Sequence, residues 1–492
     1  MDGAAFADVP TLPGTGGQPG TGGQSGASTA TSSGGTSSIS SAGGAGGAVG
    51  SGGVGAADAS TVSVDTRSDI AADAADVLRG TGGAGTGGQS ASGGNAGRAS
   101  GGATSALGGA AGAAGMVGSG GKTFAATGGI GPGTGGSTGA GGSSVTAGTG
   151  TPETQPLGYG QATTGGASST AVTADTMDAI QAAIDAYSGS GGLTIRYTGK
   201  FDFATISDPC TQWNLAAQIV EIKKKNDITL LGADGSAANF GIHIASSSSN
   251  IIVRNMTFGL LPGGGSADAI SLEGMSGGVP TNVWIDHNEL FSSMAACAGA
   301  GDSSFDGLID LKKGADNVTI SYNYLHDHHK VSLNGYSDSD TAVRHITYHH
   351  NIFDNIGSRT PLQRGGYSHL LNNYFNKVET SGANIRMSGY SLIEGNYFEN
   401  AHNPVTSRDS SAIGYWELRG NNIASPADFT KFGITWGTSS STPSKDATDW
   451  TTTATFPEAL GYTYSVDPVQ CLKDGLSSVA GAGKGLATLK CK

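Results

Sequence analysis

Between residues 268 and 386 the chain gathers the side chains best suited to chemistry on an acidic polymer. Asp268, Asp306 and Asp310 are carboxylates in a protein with only 13% charged residues. A hard cation such as calcium takes several oxygen ligands of this kind and leaves positions open for substrate. Asp306 and Asp310 lie an even number of residues apart, so on one strand they project to the same face. Lys312, Lys330, Arg359 and Arg364 supply partners for carboxylates, and arginine pairs with them in bidentate fashion. In SRTPLQR, Arg359 and Arg364 flank a proline that stiffens the loop. This mixture suggests a site that handles a polyanion through a metal.

Other chemistries find less support. LHDHHK and TYHHN gather histidines, but no His-Glu-x-x-His or Cys/His spacing accompanies them, and strand alternation would split neighbours between faces. No Gly-x-Ser-x-Gly elbow is present. The acidic loop NGYSDSD lacks the glycine and terminal glutamate of an EF-hand and reads as a turn.

Residues so far apart in sequence need a scaffold that stacks them. NIIVRNMTF, NVWIDHNEL, NVTISYNYL, HITYHHNIF, SHLLNNYF and SLIEGNYF form a weak repeat. Aligned on Asn255, Asn288, Asn323, Asn351, Asn373 and Asn396, each has a large apolar residue three positions earlier. Short strands recurring at irregular spacing, with no helices between them, predict the coils of a parallel β-solenoid whose insertions loop out on one side. Asn tolerates the left-handed conformation of a tight bend, and its amide can hydrogen-bond to the Asn of the next coil. The competing scaffold is a β-sandwich with Asn in its turns, which should alternate more cleanly and show hairpin dipeptides.

Upstream, TADTMDAIQAAIDAY places Met177, Ile180, Ile184 and Tyr187 at helical spacing after Thr176, predicting one short helix at the start of the folded domain. LTIRYTG, DITLLGA and GIHIASS read as strands. From Asn421 onward the repeat is lost, and FTKFGITW, DWTTTATFP and YTYSVDPVQCLKDGL read as extended chain with a short terminal helix.

More than half of the 85 glycines lie before residue 151. Residues 1–156 therefore read as a disordered, low-complexity arm of Gly, Ser, Thr and Ala, with one short helix in VDTRSDIAADAADVLRG. It cannot bury enough apolar surface to offset ordering entropy. Residues 157–492 form the folded domain. The arm carries four basic and eight acidic residues, −4 of the net −13, which leaves −9 for the domain. An acidic chain is a poor general binder of nucleic acid. No segment is long and apolar enough to span a membrane, which predicts a soluble protein. MDGAAFADVP shows no signal peptide. Four cysteines without a Cys-x-x-Cys fit two disulfides, and three pairings are open.

Taken together, NVWIDHNEL, DGLIDLKKGADNVTISYN, HHKVSLNGYSDSD, RHITYHHNIFDN, SRTPLQRGG and NNYF resemble the calcium-dependent pectate lyases of the parallel β-helix superfamily. The similarity runs from about residue 157 to the end. The resemblance implies an all-β fold, a right-handed parallel β-helix with a short N-terminal helix, and a secreted, monomeric enzyme. It implies cleavage of α-1,4-linked polygalacturonate by β-elimination with Ca2+ as cofactor. Asp268, Asp306 and Asp310 fall on the family's calcium positions, Arg359 on its catalytic base, and Lys330 beside it in the catalytic set. Lys312, Arg364 and Arg386 fall on substrate-contacting positions. The implied disulfides are Cys210–Cys297 and Cys471–Cys491, in keeping with secretion. Where close relatives have a further aspartate, this chain has Ser266, one negative ligand fewer.

A pectin lyase acting on methylated polymer would not need the three aspartates. A β-helix hydrolase would need clustered carboxylates for acid and base work in place of cations around a metal. A non-catalytic polysaccharide-binding solenoid, tethered by the arm, would not need Arg359 beside the acidic triplet.

Overall fold

Short runs of β-branched and aromatic residues closed by Asn, Gly and Ser pair with the corresponding run one turn on. In the computed structural model the described residues are 146–492, except 168, 302–303, 438–444 and 447–449. The expected arm and its short helix lie outside the described residues as far as residue 145. Three long sheets of ten, nine and seven strands contain parallel neighbours throughout, apart from the antiparallel last strand of the nine-stranded sheet. Each turn of chain contributes one strand to each sheet, as in Asp316–Ser321, Tyr324–Lys330 and Ser332–Asn334. This is a parallel β-helix, and the parallel pairing excludes the sandwich.

The interior is a set of ladders. Ile228, Ile251, Val283, Val318 and Ile346 stand in register on successive coils, all fully buried. Phe353, Phe375 and Phe398 stack with ring centroids 4.9 and 4.5 Å apart. Each such side chain contributes about 1.5–3 kcal/mol by leaving water.

The asparagines form a continuous ladder through Asn288, Asn323, Asn351, Asn373, Asn396 and Asn421. In each step the backbone N–H and the side-chain amide both donate to the Oδ1 of the next Asn, at 2.8–3.2 Å. Two details differ from expectation. The left-handed backbone belongs to the residue before the ladder Asn, namely His287, Tyr322, His350, Asn372, Gly395 and Gly420. Asn255 is itself left-handed, with φ 59°, and so corresponds to His287. Met256 takes the ladder position, its N–H donating to Asn288 Oδ1. The ladder also outlasts the sequence repeat by one coil, to Asn421.

The predicted helix spans Met177–Ala186, capped by the Thr176 hydroxyl accepting from the Ala179 N–H. Ile180 and Ile184 are buried against the first coil. Gln181 meets Ile219–Lys223, the first strand of the nine-stranded sheet. Its Nε2 donates to the Glu221 carbonyl at 3.1 Å and its Oε1 accepts from the Glu221 N–H at 2.8 Å.

The segment read as extended at FTKF is instead a short helix, Phe429–Phe432, and Val469–Gly475 is the terminal helix. Ordered structure also begins before residue 157. Ala147–Thr149 pairs antiparallel with Leu489–Cys491, and residues 158–166 run across the outside of the ten-stranded sheet. There the N–H groups of Tyr159, Gly160 and Gly166 donate to Thr347, Thr319 and Thr229. Gly158, with φ 105°, passes so close that a Cβ would stand 2.5 Å from Thr347. The disulfides are Cys210–Cys297 and Cys471–Cys491, the pairing the resemblance implied.

Candidate active site

The nine-stranded sheet and the corners leading into it carry every candidate residue. Asp268, Asp306, Lys330 and Arg359 each lie two or three residues ahead of a strand of that sheet, on four successive coils. Asp310 and Lys312 lie in Ile309–Lys312, Arg364 ends Leu362–Arg364 and Arg386 ends Ala383–Arg386, in register with Arg364. Asp306 is therefore not on the same strand as Asp310. It reaches the cluster from the preceding corner, which bends the chain and makes the even-spacing argument irrelevant.

Asp268, Asp306 and Asp310 bring their carboxylate oxygens within 4.8 Å of one another. The Asp268 carboxylate accepts from the Gly307 N–H at 3.0 Å and from Lys312 Nζ at 3.0 Å, and Lys312 Nζ lies 3.5 Å from Asp310. Burial first, and then the charge of Asp268, pushes Asp306 up to about 7 and Asp310 well above the usual carboxylate range. The charges of Lys312, Arg359 and Lys330 act on Asp306 in the opposite direction, so all three cations stand close to it. Burial would lower Lys312, but the three carboxylates outweigh it and raise it well above its ordinary value.

Three clustered hard oxygen donors fit calcium. Asp310 Oδ1 is buried without a hydrogen-bond partner, the state expected of an oxygen reserved for a cation. Gly307 keeps the space beside it open, because a Cβ there would stand 2.2 Å from that oxygen. Ser266 ends a short 3₁₀ turn and donates its hydroxyl to the Gly263 carbonyl at 2.6 Å.

The arginines are set by backbone and acidic partners. Arg359 is buried and left-handed, with φ 68°, and its carbonyl accepts from the Ser332 N–H on the previous coil. Arg364 Nε donates to Asp338 at 3.1 Å and Nη1 to the Gly335 carbonyl at 2.8 Å. Arg386 Nη1 donates to the Asp409 carbonyl at 2.9 Å. His328 is fully buried, bonded to Ser292 and the Lys330 carbonyl, and burial lowers its pKa to about 3. It supports the corner that leads into Ser332–Asn334.

Sequence reasoning missed Asp338. NGYSDSD is a turn, as read, but it reaches over two strands of the sheet. Asp338 there accepts from Arg364, from Ser410 Oγ at 2.8 Å and from the Ser411 N–H at 2.7 Å. Although partial burial raises its pKa, these bonds hold Asp338 down at about 2. Asp340, in the same loop, pairs with the buried Arg344. The signal was an acidic loop placed shortly before the runs that hold Arg344, Arg359 and Arg364.

A parallel β-helix with a three-carboxylate pocket ringed by lysine and arginine on one face defines an enzyme of acidic polysaccharides. The profile of the family described as pectate lyase matches residues 110–485, a span that begins inside the glycine-rich region. Pectate lyase 1 of Pectobacterium carotovorum is 49% identical over 329 residues, covering 64% of this chain and 86% of that protein. Among solved structures, pectate lyase II from Xanthomonas campestris is 57% identical, with a TM-score of 0.65, 68% of this chain covered and all of the other. Pectate lyase C from Erwinia chrysanthemi, solved with Ca2+, is 43% identical with a TM-score of 0.64, covering 69% of this chain and 99% of that one. The chain belongs to the pectate lyase family and is a polysaccharide lyase.

Proposed function

We propose that this chain cleaves α-1,4-linked polygalacturonate by calcium-assisted β-elimination, as a secreted monomer. Asp268, Asp306 and Asp310 would hold the ion. The observation that carries this reading is the convergence of three carboxylates, one with an orphaned oxygen, beside Lys312, Lys330 and Arg359.

Elimination removes the C5 proton, which is α to a carboxylate, and expels the C4 oxygen. Calcium, when bound, supplies charge that draws the substrate carboxylate and acidifies that proton. Lys312 orients the carboxylate and stabilises the enolate-like charge, assisted by Lys330. Arg359 takes the proton. It acts in its neutral form, which a free guanidinium reaches only above about pH 12, so the role favours alkaline pH. Arg364 and Arg386 bind the carboxylates of adjacent sugars in bidentate fashion.

Wild-type protein incubated with polygalacturonate should release a product absorbing in the ultraviolet, faster toward alkaline pH and abolished by chelator. Arg359→Ala should lose activity by at least a hundredfold, in the range of general-base catalysis. Reducing ends without absorbance would mark a hydrolase, and full activity in Arg359→Ala would remove the role given to that residue.

A further inference from the structure

Arg364 and Arg386 are neighbours in register on successive strands of the nine-stranded sheet. On the following strand, Val405–Ser407, Asn384 pairs with Thr406; beyond that pair Arg386 bridges antiparallel to Ile413, and Arg408 follows the end of the strand beside Asn384. The two arginines are adjacent in fact. The Arg408 N–H donates to Asn384 Oδ1 at 3.2 Å, and Arg386 Nη1 reaches the carbonyl of Asp409. Arg364, Arg386 and Arg408 thus lie on three consecutive coils. The next strand of the sheet, Lys445–Asp446, is antiparallel.

Arg408 is the least committed of the three. Its Nε is buried without a hydrogen bond, lying 3.3 Å from Asp409 Oδ2 in an ion pair between adjacent residues. Its side chain is 15% exposed, enough for a ligand to reach. Coils repeat at roughly 4.8 Å, and an extended uronate polymer along the axis presents one carboxylate per sugar.

We propose that Arg408 forms a further carboxylate-binding subsite, one coil beyond Arg386, that engages a uronate remote from the scissile bond. This rests on the polygalacturonate reading above and extends it in length preference. A chain short enough to fill only the coils around Arg359 gains nothing from Arg408, whereas a long chain gains one more charge-assisted pair.

The test compares wild type, Arg408→Gln and Arg408→Lys on trigalacturonate, longer oligogalacturonates and polygalacturonate, following ultraviolet absorbance, with calorimetric binding of the same oligomers. Matched melting temperatures establish that the variants fold. Arg408→Gln should raise KM for polygalacturonate roughly tenfold. The effect should be smallest for trigalacturonate, kcat should be unchanged, and Arg408→Lys should recover part of the loss. Equal KM on the polymer, or the same rise at every chain length, would overturn the subsite. Absence of unsaturated product from wild type would overturn the lyase reading instead, and the calorimetric comparison would still decide whether Arg408 binds uronate.

Discussion

At the scale of single residues, the acidic pocket is a balance of three carboxylates against one lysine, with the turn of Ser266 beside Asp268. Asp310→Asn should weaken calcium binding by at least tenfold in a calcium titration. It neutralises the carboxylate that carries the orphaned oxygen. Ser266→Asp should do the opposite, tightening calcium about tenfold by adding a charged oxygen donor next to Asp268. Unchanged affinity would mean that the 3₁₀ turn holds position 266 away from the ion. The pocket was legible in the sequence because carboxylates and cations are rare in this chain and therefore conspicuous. Asp338 was not, since it acts through a loop that crosses coils. A side chain that reaches across strands leaves no periodic trace in the residues around it.

At the scale of elements, the asparagine ladder is the feature whose loss should cost most. Asn351 Oδ1 accepts from the Asn323 N–H and amide, while its own amide donates to the Ile320 carbonyl and to Asn373. Asn351→Leu leaves several of these buried groups unpaired, at about 1–3 kcal/mol for each. Urea unfolding should therefore show a loss of 3 kcal/mol or more, roughly, by the same reckoning. A loss below about 1 kcal/mol would show that water replaces the amide. The strands and their stacking were readable because every coil must repeat the same inward residue, which gives Ile, Phe and Asn a common spacing. The register at Asn255 was misread for a physical reason. Asn suits both the left-handed bend and the ladder site next to it, and only the backbone distinguishes them. FTKF was misread because four residues carry too little periodicity to separate a helical turn from extended chain.

At the scale of the whole molecule, both ends of the described chain are fastened to the same solenoid. Residues 158–166 lie across the ten-stranded sheet, and the Ala147–Thr149 strand pairs with the one holding Cys491. Under this strap, burial first and the Asp286 charge second raise Glu153 from 4.5 to about 8, with Arg254 pulling the other way. Its Oε2 has no hydrogen-bond partner. A carboxyl raised in the folded state favours folding while protonated. Its contribution is complete below about pH 4.5, declines as pH rises toward 8, and stays lost above that. Glu153→Gln imitates the protonated form. It should melt with wild type near pH 4.5 and roughly 2–4 °C above it at pH 9. Equal melting at both pH values would show that Glu153 reaches water when ionised.

The helix at the other end has a different consequence. Parallel strands stacked in register, with identical residues laddered from layer to layer, are the local architecture of an amyloid fibril. The first strand of such a stack offers its backbone to any passing extended chain. Gln181 occupies that invitation at Glu221 with a side-chain amide in place of a peptide group, and Ile180 and Ile184 cover the apolar end of the stack. The helix turns a geometry capable of endless addition into a molecule of fixed length. Its loss would show as fibre growth before it showed as lost activity.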